Sequence, residues 1–403
     1  MRIATRYLAG GLLALALAWV AAPALSAHRY FPGAVDFEQR LPVVEPSPGL
    51  AKQQLLRSPR RAGTGPVSYR SPVIVAPERF DLAGLAGEMR PLEIRGRDAG
   101  GEWSEWVETE DGNPIYFGGA DELQVRARGW RPSGRLHYVN VSGTTSTASG
   151  LLTGAREAIN SAFISATGFL QPSADATPTR PQIVTRAEWG ADLAQGGCPP
   201  RERPDYGVVK AGVIHHTVTA NDYSEAEAPE IVLGICRYHR NANGWNDIGY
   251  QALVDRFGNT YQGRAGGLSK AVVGAQAQGF NDQTAAVASI GTHTTEAPSQ
   301  GARRAIVNYL AWRLALAGVD AVGKTTLVSG GGELSRYPSG KRVRLNEVFG
   351  HGTIGLTACP GEALDALIPG IRRKIQDRIE QFGGPEPSPT EPPGGGGGGV
   401  GPG

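Results

Sequence analysis

Residues 350–361 read GHGTIGLTACPG and hold three groups with chemistry in them. His351 and Cys359 stand eight residues apart, and Thr357 lies just before the cysteine. An imidazole and a thiolate on one short loop suit Zn²⁺, whose ligands are mostly Cys and His. A second candidate lies upstream, the His215-His216 pair in VIHHTV. One histidine of that pair, with His351 and Cys359, makes three protein ligands. Three ligands leave a fourth position open, the pattern of a catalytic rather than a structural zinc. Ordinary packing is the competing explanation, because Cys is among the most buried residue types and serves well as a small hydrophobe. A His₂Cys set also serves blue copper, usually with an axial methionine. The only methionines, Met1 and Met89, are remote in sequence from this region.

The elements that must position these groups lie in residues 181–382. VKAGVIHHTV reads as a buried strand that delivers the histidine pair. Pro229 opens a helix, EIVLGICRYHR, with Ile231, Ile235 and Tyr238 at helical spacing and a stop at 241–244. DIGYQALVDRFGNTYQGR reads as a hairpin turning at Phe257-Gly258-Asn259, and AAVASIG as another buried strand. Ser299 is placed to cap the helix GARRAIVNYLAWRLALAG, with Ile306, Leu310 and Leu314 inward and Gly318 as its stop. A Gly-rich excursion over 325–344 precedes the metal loop, and a last amphipathic helix is expected over 364–382. Strands alternating with helices predict an α/β domain, a central mixed sheet flanked by helices.

The rest of the 403 residues divides by composition. Arg2 and Arg6, an apolar run from Leu8 to Val20, and Ala22, Ala24 and Ala27 give residues 1–27 the layout of a secretory signal peptide, cleaved near Ala24 or Ala27. A secreted or cell-wall protein with no membrane anchor in its mature form is expected. Residues 28–75 are read as an extended leader. Residues 76–142 hold short alternating runs split by turn residues, a small antiparallel β domain with Leu92, Ile94, Leu123, Val125, Leu136 and Tyr138 in its core. Trp103, Trp106 and Trp130 are expected to pack in that core rather than form a carbohydrate platform. His137 is read as structural. Residues 143–180 are read as a linker with a short helix at 155–162, and 383–403 as a disordered Pro/Gly-rich tail. A net charge of +2, with no basic stripe, argues against nucleic acid. Of three cysteines, Cys198 and Cys236 remain as a disulfide pair if Cys359 binds metal.

Taken together, VTRAEWGAD (184–192), VIHHTV (213–218), GWNDIGYQALVDRFGNTYQGR (244–264), VVGAQAQGFN (272–281) and HGTIGLTACPG (351–361) resemble the peptidoglycan recognition protein and type 2 N-acetylmuramoyl-L-alanine amidase family. The resemblance covers nearly all of 181–380. It implies a zinc hydrolase that cuts the amide between N-acetylmuramic acid and L-alanine, with peptidoglycan as partner; a monomer is expected as the working form. It implies His215, His351 and Cys359 as ligands, and Tyr250 and Thr357 as catalytic groups. His216, Trp245, Arg264 and Asn281 are carried over as groove residues. His239, Arg186 and Trp189 are taken as structural, and His293 as solvent-exposed. The alternative is a recognition module that binds peptidoglycan without cutting it; the presence of Cys359 and Tyr250 favours catalysis. The chain departs from the family pattern at Gln276, where histidine is common, at Gly352-Thr353, where Arg-Asp is common, and at Gln262, where Glu is common. None of these removes a ligand.

Overall fold

The computed structural model describes residues 34–43, 66–110, 112–143 and 178–382. The signal segment, the helix expected at 155–162, most of the 143–180 linker and the Pro/Gly-rich tail lie outside these residues. Among the described residues no helix is long and apolar enough to cross a membrane.

The N-terminal part is one antiparallel sheet. Its strands are β1 (Val35–Arg40), β2 (Val67–Arg70), β3 (Ile74–Leu85), β4 (Glu93–Arg97), β5 (Val107–Glu108), β6 (Ile115–Arg128) and β7 (Arg135–Asn140). They run in the order β1-β7-β3-β6-β4-β5, with β2 also on β6. The six residues assigned to its core are each at most 2% exposed. The sheet also takes up chain that the sequence suggested was leader. VDFEQR has too little apolar alternation to announce a strand. Its order comes from backbone pairing with β7, from Val35↔Asn140 to Arg40↔Arg135, and from Phe37 stacking on Tyr138 at 4.9 Å. Trp130 packs against the edge of that core, whereas Trp103 and Trp106 are not core residues. Side chains alternate across a strand, so Ile94 and Val125 point inward while Arg95, Arg97 and Arg126 point out. Trp103 lies between Arg95 and Arg97 at 4.6 and 4.3 Å, Trp106 against Arg95 and Arg126 at 4.6 and 4.2 Å, and Trp130 under Arg90 at 4.0 Å.

The second sheet comprises β8 (Ala211–His216), β9 (Ala252–Val254), β10 (Thr260–Gln262), β11 (Thr284–Ser289) and, beyond the hairpin β12 (Lys324–Val328) and β13 (Arg342–Asn346), β14 (Val348–Gly350). Its order is β10-β9-β11-β8-β14; β10 is antiparallel to β9 and the other pairs are parallel, so the sheet is mixed. Parallel strands covered on both faces read as unbroken apolar runs, which is why β8 and β11 are buried throughout. Helix α1 (Ala228–Asn241) packs with Ala286 and Ala288 of β11. Helix α2 (Gln300–Leu316) packs with Val287 and Ile214 on the opposite face.

The Ser299 Oγ accepts the Ala302 N–H at 3.0 Å and caps α2. Ser299→Ala is expected to lower stability by about 1 kcal/mol in chemical denaturation. The last helix is split: a single turn, α3 (Glu362–Asp365), precedes α4 (Ile368–Gln381). Pro369 has no N–H to donate and fits only the first turn of a helix, so α4 starts there rather than at Leu364.

Candidate metal centre

Strand alternation separates the two adjacent histidines at the end of β8. Their side chains leave opposite faces of the strand, so one of them joins the site and the other does not. β14 lies parallel to β8 with Gly350 opposite Ile214. The chain therefore leaves β14 at His351 beside His215, and the two rings are 4.5 Å apart. The loop then returns Cys359 to the same point. The ligand-type atoms of His215, His351 and Cys359 all lie within 4.8 Å of one another. Cys359 Sγ is 3.6 Å from His215 Nδ1. A sulfur and an imidazole nitrogen bound to one tetrahedral zinc stand about 3.6 Å apart, given ordinary bond lengths. The donor set and its spacing thus fit zinc.

The surroundings favour the forms a metal requires. Burial, with His351 and His216 nearby, holds His215 well below the ordinary histidine pKa, so its imidazole is neutral. The backbone N–H of His216 points at Cys359 Sγ at 3.4 Å, a donor suited to a thiolate. Gly352 N–H donates to the Cys359 carbonyl at 2.6 Å and ties off the loop. The Gly-rich excursion braces it from outside. Arg336 N–H donates to Ile354 O, Leu356 N–H to Leu334 O, and the Arg336 Nε to Gly352 O at 2.7 Å. A second trio, Cys198, Cys236 and Asp247, also has ligand-type atoms close together, but its two sulfurs are joined as a disulfide.

Tyr250 enters the site from the segment that leads into β9, with its ring 5.3 Å from that of His215. Its hydroxyl donates to Asn113 Oδ1 at 3.1 Å. His239 reaches the same oxygen through Nε2 at 3.1 Å. Because His239 Nδ1 accepts the Gly249 N–H at 3.1 Å, the ring proton sits on Nε2 and is donated to Asn113. Burial lowers the His239 pKa to about 3. A histidine whose folded pKa lies below its ordinary 6.5 contributes fully above that value and loses the contribution as the pH falls toward 3. Urea midpoints are therefore expected to drop on acidification below about 6.5, and the drop should be shallower in His239→Gln, whose amide keeps one acceptor and one donor.

Thr357 Oγ1 accepts the Cys359 N–H at 3.1 Å and donates to Glu110 Oε2 at 3.2 Å. His216, on the other face of β8, accepts the His293 N–H through Nδ1 at 3.1 Å, and its Nε2 is 3.4 Å from the same Glu110 oxygen. His293 is not exposed to solvent. It is 5% exposed, hydrogen-bonded to Ser289 Oγ at 2.8 Å, and its pKa falls to about 4 through burial. Trp245 packs on His239 at 4.6 Å. Arg264 donates to the carbonyls of Ile248 and Val273, both at 2.8 Å, and ties two loops together. Asn281 Oδ1 accepts the N–H groups of Gln276 and Ala277. These bonds engage Arg264 and Asn281 in holding local backbone.

The sequence departures also find places. Gln276 reaches Thr284 Oγ1 at 3.3 Å, at the start of β11. Thr284 pairs with Ala211, whereas Ser289 pairs with His216. Gln276 thus meets the strand at the end away from the histidines, on the order of 16 Å along it. A Cβ on Gly352 would lie 3.0 Å from the Cys359 carbonyl oxygen, so the loop closes tightly where glycine stands.

Glu110 and Asn113 were not found by reading the sequence. They sit in a turn-like EDGNP run between β5 and β6, more than 100 residues from the His216, His239, Tyr250 and Thr357 side chains they touch, and nothing local marks them.

A family model described as N-acetylmuramoyl-L-alanine amidase matches residues 205–362. Peptidoglycan-recognition protein SA of Drosophila melanogaster is 33% identical over 150 residues, 37% of this chain and 68% of that protein. The chain belongs to the family of peptidoglycan recognition proteins and N-acetylmuramoyl-L-alanine amidases. Within this family, the N-acetylmuramoyl-L-alanine amidase of Sus scrofa is 34% identical over 130 residues, 31% of this chain but 20% of that protein. The crystal structure of Drosophila peptidoglycan recognition protein SD aligns at 27% identity with a TM-score of 0.37, over 47% of this chain and 94% of that one. The family thus includes relatives named for recognition and relatives named for hydrolysis.

Proposed function

We propose that the chain is a secreted, zinc-dependent amidase, active as a monomer, that hydrolyses the amide between N-acetylmuramic acid and L-alanine in peptidoglycan. The observation that carries this reading is the convergence of His215, His351 and Cys359 within 4.8 Å at the end of the sheet. These three would hold the metal. Bound zinc supplies a Lewis acid that polarises a carbonyl and acidifies water. With two imidazoles and one thiolate as ligands, the ion would keep a net positive charge.

The chain's own groups do the rest. The Tyr250 hydroxyl is carried on the approach to β9 and the Thr357 hydroxyl on the loop that holds His351 and Cys359. As the scissile carbonyl gains negative charge, each donates a hydrogen bond to it, and fixed donors of this kind matter most where water is excluded. His239 lies beside Tyr250 and shares its Asn113 acceptor, and Trp245 packs on His239. The His216 N–H points at the Cys359 sulfur and helps to fix it. Secretion rests on the basic and apolar N-terminal segment, and the substrate on the family.

The test is a zinc-loaded preparation given a small muramyl-L-alanyl peptide, with products read by mass. Separation of the muramic acid from a peptide with a free L-alanine amino group, lost when the metal is chelated, is the expected result. An intact muropeptide that stays bound would favour recognition without cleavage.

A further inference from the structure

The N-terminal sheet is not a distant neighbour of the site. Leu82, Tyr116, Val139 and Val141 share one apolar cluster with Ile231, Leu233 and Tyr238 of α1. Asp36 of β1 is bonded to Arg237 at 2.7 Å, and the Tyr116 hydroxyl donates to Glu227 at 2.8 Å. Asn243 donates to the Gly112 carbonyl at 2.8 Å. From this fixed platform Glu110 and Asn113 reach the metal centre. With them in place His215 is 1% exposed, Cys359 2%, Tyr250 4% and His351 5%. Asn113 is one of the groups that cover Tyr250, and Glu110 lies against Thr357.

The hydrogen bonds point the same way. The proposed reaction needs the hydroxyl protons of Tyr250 and Thr357 on the substrate's carbonyl oxygen. In the structure Tyr250 gives its proton to Asn113 Oδ1, itself an amide carbonyl oxygen, and Thr357 gives its proton to the Glu110 carboxylate. We propose that Glu110 and Asn113 act as an intramolecular inhibitor, occupying the acceptor positions of the substrate and keeping the site closed until they are displaced. The inference rests on the amidase reading above, since that reading is what makes these two hydroxyls the donors. The ligand imitated is an amide carbonyl beside an anionic group, both features of a muramyl peptide.

The test uses the full chain, its Glu110→Ala/Asn113→Ala variant, and Asn243→Ala. The last removes only the anchor on Gly112 and keeps the test open if the double variant misfolds. Two quantities are read: the rate at which iodoacetamide alkylates Cys359 in metal-free protein, and the release of L-alanine amino termini from peptidoglycan by zinc-loaded protein. The expected result is alkylation about tenfold faster or more, the factor for losing such hydrogen bonds from the closed state, together with faster hydrolysis. Unchanged alkylation in both variants overturns the proposal. Hydrolysis that falls in the variants while the parent is active also overturns it, because the two residues would then complete the site rather than block it. Faster alkylation with no hydrolysis by any of the three supports the blocking role and sinks the amidase reading instead.

Discussion

Cys359→Ala is expected to abolish both zinc retention and amide hydrolysis. The thiolate is one of three donors, and the two imidazoles that remain bind a divalent ion far more weakly. The change should lower zinc affinity well beyond the ~10–100-fold seen when only a supporting partner is lost, so that dialysed protein holds no stoichiometric metal. The contrast with a packing role is large. Cys359 is 2% exposed, and if it were only a small buried hydrophobe its truncation would cost about 1 kcal/mol of stability and change nothing else. Metal content per chain after dialysis, beside the denaturation midpoint, separates the two. Stoichiometric zinc in Cys359→Ala would remove Cys359 from the ligand set.

Tyr250→Phe is expected to lower kcat by about 100- to 1,000-fold, the loss typical of one donor to a developing oxyanion. KM should change little, because the hydroxyl acts on charge that appears only in the transition state. Stability should fall by no more than about 1 kcal/mol. The structure gives the reason: Asn113 Oδ1 keeps the His239 Nε2–H as a partner, so no buried acceptor is orphaned. A tyrosine that served only as packing would show the small stability change without the loss of kcat. Steady-state kinetics on a soluble muramyl peptide decide between them, and retained kcat would assign the proton donation elsewhere.

Much of this site was legible in the residues because its logic is local. HH at the end of a buried apolar run places two side chains on opposite faces, and alternation then excludes His216 from the cluster. The turn at Phe257-Gly258-Asn259 forms because Asp255 Oδ1 accepts three successive N–H groups, from Phe257, Gly258 and Asn259. The Ser299 cap and the Ile306, Leu310 and Leu314 stripe are likewise short-range signals. What could not be read depends on partners distant in sequence. β1 becomes a strand because β7 offers it an edge about a hundred residues later. Trp103 and Trp106 look like core residues until Arg95, Arg97 and Arg126 are seen to cover them from neighbouring strands. His293 lies in a GTHTT run that suggests a loop in solvent, yet Ser289 and His216 enclose it. Glu110 and Asn113 are the extreme case, with unremarkable turn chemistry in sequence and direct contacts to Tyr250, His239, His216 and Thr357 in the fold.

The departures from the family pattern leave the three ligand-type groups together. Gln276 meets the sheet at the end away from His215. Gly352 closes the metal loop through its own N–H and receives the Arg336 guanidinium on its carbonyl.

The most direct test of the central claim is a count of new chain ends after zinc-loaded protein acts on purified peptidoglycan, using the parent and Glu110→Ala/Asn113→Ala. An N-acetylmuramoyl-L-alanine amidase releases L-alanine amino termini and no new reducing sugar, and chelation or Cys359→Ala abolishes the release. New reducing ends, or amino termini that persist without metal, would contradict the account.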